Sequence, residues 1–105
     1  MIIKVGEKEY KLEFSYTSFL YMEDFNIKDL EKVEDNPFRM LTIGRKLMFG
    51  ALNNNPKEVF SLEDVDVILN SLMEEINIGD LLTQLMKLLE DSSFFKSLQR
   101  KTKKK

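Results

Sequence analysis

The apolar pattern changes period at Phe14, and that change limits the folds open to this chain. Before it, Tyr10, Leu12 and Phe14 alternate with Glu9, Lys11 and Glu13, the two-residue repeat of a half-buried strand. The apolar run Ile2-Ile3-Lys4-Val5 precedes them, and Gly6-Glu7-Lys8 lies between, short enough for a tight turn with Gly6 free to adopt positive φ. A β-hairpin over residues 2–14 is predicted. A lone hairpin is marginal in water, so its apolar face must rest on the rest of the chain.

Beyond Phe14 the apolar residues take helical spacing. Ser15 or Thr17 can cap a helix with Phe19, Leu20, Met22 and Phe25 on its apolar side, ending near Asn26. Ile27, Leu30 and Val33, three apart, predict a helical turn or second short helix, mostly exposed. Asn36-Pro37 is a start signal for a helix from Pro37 to about Leu52, which Asn53-Asn54-Asn55-Pro56 ends. At about 100° per residue, Met40, Leu41, Ile43, Gly44, Leu47, Met48, Ala51 and Leu52 share one broad face. Arg39, Thr42, Arg45 and Lys46 lie opposite, with Phe38 and Phe49 at the edge of that polar side, either packed under neighbouring loops or offered to a partner. Gly44 and Gly50 cost a helix interior about 1 kcal/mol each against Ala, which points to close packing there.

Ser61-Leu62-Glu63-Asp64 reads as a capping-box start for a helix over 61–76 with Leu62, Val65, Ile68, Leu69, Leu72 and Ile76 in register. Asn77 then caps a last long helix over 79–91. Its Leu81, Leu82, Leu85, Met86, Leu88 and Leu89 cover an arc of roughly 160°, wider than one contact face needs. Past Asp91 the register fails. Either Ser92 or Ser93 caps a separate short helix, or Phe94, Phe95 and Leu98 face outward and need a partner to cover them. The predicted fold is α+β, mainly α: an N-terminal β-hairpin packed on a bundle of four to five helices, one domain over 1–98, and a basic disordered tail over 99–105.

The chain holds no Cys, His or Trp, which removes disulfides, thiol and imidazole chemistry, and zinc sites of the Cys/His type. The acidic clusters Glu23-Asp24, Glu63-Asp64-Val65-Asp66 and Glu90-Asp91 read as helix capping and solvated faces, since Asp64 and Asp66 fall on different sides of one helix. The four glycines form no phosphate-cradling motif, and no nucleophile motif is present. No catalytic, metal or cofactor site is expected, and the chain reads as an interaction protein rather than an enzyme. No apolar run approaches the ~20 residues of a membrane span, and Met1-Ile2-Ile3-Lys4 turns polar at once, so a cytosolic protein without a leader is expected. Charge is uneven: residues 1–95 hold ten basic and eighteen acidic side chains, whereas 96–105 hold six basic and none acidic. The tail could be a solvated end, an arm for an acidic partner or a nucleic-acid arm; an acidic body makes the last unfavourable.

The hairpin over 2–14, the run Phe14-Ser15-Tyr16-Thr17-Ser18-Phe19-Leu20-Tyr21-Met22-Glu23-Asp24-Phe25-Asn26, the Ser61-capped helix and the Leu-rich stretch before a charged end together resemble the tail assembly chaperones of long-tailed phages of low-GC Gram-positive bacteria. The resemblance covers about residues 1–98. It implies a non-enzymatic protein that binds the tape measure protein, keeps that long helical chain soluble, helps recruit tail tube subunits, and acts in the host cytoplasm without remaining in the virion. It also raises a frameshifted longer form, for which Lys103-Lys104-Lys105 is suggestive because lysine codons are A-rich. The partner-binding residues expected are Leu82, Leu85, Met86, Leu89, Phe94, Phe95 and Leu98, with self-association a further prospect. Two other readings stand beside it: a small nucleic-acid-binding regulator using the basic tail, and a structural head–tail or adaptor subunit.

Overall fold

A computed structural model describes residues 1–25, 28 and 36–97. The fold is α+β and mainly helical: a two-stranded antiparallel sheet, β1 (Ile2–Val5) and β2 (Lys8–Lys11), precedes α1 (Tyr16–Leu20), α2 (Pro37–Leu52), α3 (Leu62–Leu72), α4 (Ile78–Asp91) and a final helical turn, α5 (93–97). The predicted turn or helix over 27–35, Leu98 and the tail over 99–105 lie outside the described residues, Lys28 apart.

The hairpin turns at Gly6, whose φ of 64° at the first central position suits a primed turn that matches the strand twist. In register, Ile3 faces Tyr10 and Ile2 faces Lys11. Ile3 and Leu12 are buried and Ile2 is exposed, as the two-residue repeat requires. The ladder ends sooner than the alternation predicts. Leu12 still donates to the Met1 carbonyl at 2.7 Å, but the Glu13 N–H turns to the Ala51 carbonyl at 3.2 Å, so the chain leaves its sister strand for the end of α2.

Side-chain caps set where the helices begin. Ser15 and Ser18 form a reciprocal box at α1, and Ser61 and Asp64 do so at α3, the Ser61 N–H donating to Asp64 Oδ2 at 2.9 Å. Asn36 Oδ1 accepts from the N–H groups of Phe38 and Arg39, and Asn77 Oδ1 accepts from that of Asp80. Two helices stop early. α1 ends at Leu20, not near Asn26, because the next N–H groups bond three residues back: Tyr21 to Ser18, Met22 to Phe19 and Phe25 to Met22. These tighter turns aim Met22 into the core. α3 ends at Leu72, not Ile76, through the same tightening at Glu74 and Glu75.

α2 is the hub, touching α1, α3, α4 and β2. One apolar cluster runs from Ile3 in the hairpin to Phe95 in α5, with Leu12, Leu47, Met48, Val65, Leu81, Leu85 and Leu89 at its centre. Polar groups inside it are satisfied. Asn53, 1% exposed, donates to the Phe49 and Phe60 carbonyls and accepts from the Phe60 N–H at 2.7 Å. Asn54 Nδ2 bridges the Ala51 and Lys11 carbonyls, both at 2.8 Å, which ties the end of α2 to the hairpin.

Candidate interaction surfaces

The partner face predicted on the last long helix is corrected. Leu82, Leu85 and Leu89 are buried, and Met86 is half-buried against the same core. The wide apolar arc of α4 is spent inside the fold, where its leucines join side chains from the hairpin, α2, α3 and α5. Phe95 is also turned inward, and Phe94 is half-buried beside Phe19 and Tyr16. The Ser92 hydroxyl donates to the Phe14 carbonyl at 3.0 Å and accepts from the Phe95 N–H at 3.2 Å, which folds α5 back onto the chain's beginning. Phe95 is buried, and Phe94 lies with its ring centroid 5.1 Å from that of Phe19 and edge-on to Tyr16 at 5.7 Å. Of the seven residues expected to bind a partner, the six described are committed to the core or its margin; Leu98 is outside the described residues.

The outward side of α2 has the opposite character. In its first two turns Met40 and Ile43 face the core, while Phe38 is 78% exposed and Leu41 41%. Phe38, Thr42, Lys46 and Phe49 succeed one another at helical spacing along this side. Two hollows flank the stripe and meet at Thr42 and Lys46. One, about 360 Å³, lies at the head among Asn36, Phe38 and Arg39. The other, about 190 Å³, lies between α2 and the turns after α1 and is walled by Tyr21, Phe25, Phe49 and Leu62. Phe49 is held edge-on to Tyr21 at 5.3 Å, so the packed alternative applies to Phe49 and the exposed one to Phe38.

Arg45 anchors this side to α3 through a two-pronged ion pair, Nε to Asp66 Oδ1 at 2.7 Å and the Nη2 amino group to Oδ2 at 2.8 Å. The hydrogen bonds from the guanidinium, with its charge as a smaller contribution and partial desolvation opposing both, hold the Asp66 carboxyl below the usual carboxylate range and raise Arg45. Both side chains remain close to half exposed, so the pair fixes geometry more than it adds stability. Arg39 and Lys46 have no ion pair among the described residues.

The charge of this face was legible in the sequence at a finer grain than the division into body and tail. From Asn36 to Lys57 there are four basic residues and no acidic one, inside a body where the other residues up to 95 carry six basic against eighteen acidic. A wide apolar stripe draws attention to α4, but breadth of stripe measures burial. The acid-free window, together with an aromatic placed on the polar side, is the sequence signal that coincides with this exposed side.

Among the described residues no helix is long and apolar enough to cross a membrane, and no group of three or more acidic, His or Cys side chains could hold a metal ion. Comparison with protein-family models, with curated proteins and with solved structures gives no match.

Proposed function

We propose that this chain is a non-catalytic tail assembly chaperone that binds the tape measure protein, keeps it soluble, helps recruit tail tube subunits and is absent from the finished virion. The observation that supports a binding role is the exposed head of α2, where Phe38 and Leu41 present apolar surface to solvent; Phe38, 78% exposed, is the most exposed large apolar side chain among the described residues. Phe38 and Leu41, grouped beside the hollow at the head of α2, form the kind of exposed apolar surface that a protein contact uses. A holding chaperone requires such a face for a helical client, together with enough charge to remain dispersed.

Coexpression tests this reading. The tape measure protein encoded in the same tail gene cluster should shift from pellet to soluble fraction when this chain is present, and mass spectrometry of purified virions should find the tape measure protein without it. A client equally insoluble with and without the chain refutes the reading, as does recovery of the chain in stoichiometric amount from virions.

A further inference from the structure

We propose that the outward face of α2, from Phe38 to Phe49, is the docking surface for an acidic amphipathic helix: a partner segment with two apolar anchors and carboxylates between them. This rests on the protein-binding reading above and names the chemistry of the partner.

Charge selects the occupant. Within an acidic body this face belongs to an acid-free stretch, and its Arg39 and Lys46 are not neutralised by an ion pair among the described residues. The position of the apolar groups sets the spacing. Phe38 stands at one end, and the hollow walled by Tyr21, Phe25 and Phe49 lies at the other. Eleven residues of α2 separate Phe38 from Phe49, about 16 Å at 1.5 Å per residue. A partner helix of about three turns spans that distance, with one apolar side chain over Phe38, one entering the hollow, and carboxylates facing Arg39 and Lys46. Arg45 does not take part in pairing, because Asp66 already occupies its guanidinium through two hydrogen bonds. The same facts disfavour nucleic acid. Two cations without an ion pair among the described residues are few for phosphate binding, and an exposed Phe38 without neighbouring aromatics offers no stacking platform; Asp24, which lines the smaller hollow, repels carboxylate and phosphate alike, so the part of the partner that enters this hollow is the apolar anchor.

The test uses the full chain and a yeast-displayed library of random peptides of about fifteen residues, four helical turns. Enriched peptides are then synthesised and measured by fluorescence anisotropy. The enriched set should be net acidic with apolar residues seven to eleven apart, and its affinity should fall as salt rises. Arg39→Glu with Lys46→Glu, and separately Phe38→Ser, should each weaken binding by at least about tenfold. Glu74→Lys, just past the end of α3, should leave it within about twofold. These positions are exposed or half-exposed, and unchanged thermal melts confirm that each variant folds. The proposal is overturned by enrichment of neutral or basic peptides, by no enrichment, or by equal binding to the variants. Binding of an oligonucleotide that the double variant loses would assign the face to nucleic acid. Concentration-dependent self-association that the same variant abolishes would assign it to a second copy. Because client solubility is not the readout, failure here leaves the chaperone reading standing, and an inert client leaves this surface standing.

Discussion

Gly50 has no room for a methyl group. A Cβ there would lie 2.2 Å from Met22 Sδ and 2.5 Å from Met22 Cγ, and Met22 is itself buried. At Gly44 a Cβ would meet only the tip of Ile78, at 3.1 Å. Two identical substitutions should therefore diverge. Gly50→Ala should lose about 1–3 kcal/mol through overpacking, whereas Gly44→Ala should be close to neutral, since the helix gains about 1 kcal/mol of propensity while one side-chain tip moves. Denaturant melts of the two variants check this; equal losses would show that the contact at Gly50 is not limiting. Asn53 makes a second residue-scale prediction. Its amide bonds three backbone groups from a nearly inaccessible position, so Asn53→Ala should cost about 2 kcal/mol by stranding the Phe60 N–H and the Phe60 carbonyl, while the Phe49 carbonyl keeps the Asn53 backbone N–H. Asn53→Asp should not restore the loss, because a carboxylate cannot donate to those carbonyls.

At the scale of elements, caps and apolar stripes have separate tasks. The Ser61 and Asp64 side chains satisfy donors at the first turn of α3, and Ser61→Ala should lower stability by about 1 kcal/mol without altering the fold, read as a small shift in the melting midpoint with unchanged circular dichroism. α4 responds differently. Leu85 is wholly buried at the centre of the cluster, so Leu85→Asp should cost more than about 4 kcal/mol, a large share of what a domain this small can hold. Loss of cooperative unfolding in that variant would confirm α4 as a core helix; a folded Leu85→Asp protein would restore it as a candidate partner face. Phe38→Asp, on the outer side of α2, should leave the melting midpoint nearly unchanged, because its ring contributes little to the core.

For the whole molecule, the ion pair between α2 and α3 gives stability a defined pH dependence. Asp66 titrates below its ordinary value when folded. Its pairing with Arg45 therefore contributes above the ordinary carboxylate range and fades as pH falls through the lowered value. The difference in melting midpoint between the native chain and Arg45→Ala should be small at neutral pH, reduced by salt, and absent in strong acid. A difference that grows on acidification would contradict this assignment. On the same scale, Arg39 and Lys46 stand on the outer side of α2 without an ion pair among the described residues, so the approach of an acidic partner to that side should slow as salt rises even where the contact itself is apolar.

Local signals carried much of the fold. The alternation up to Phe14, the positive φ of Gly6, and the caps Ser15, Asn36, Ser61 and Asn77 are all decided within a few residues, because a turn or a first helical N–H finds its partner nearby. Helix ends were less legible. Whether α1 or α3 tightens after Leu20 or Leu72 depends on where Met22 and Ile76 must lie in the core, which helical spacing alone does not express. The choice between inside and outside needed the tertiary structure. A wide leucine arc has the same pattern whether it meets a partner or its own chain; here α4 packs along α2 and its leucines join the common core. By itself the sequence determined that apolar stripes and a charged exterior, rather than thiols or imidazoles, are what the protein can use. Packing decided which stripe is sealed and left Phe38 exposed on the side of α2 that carries Arg39 and Lys46, because burial belongs to the assembled bundle and not to any one segment.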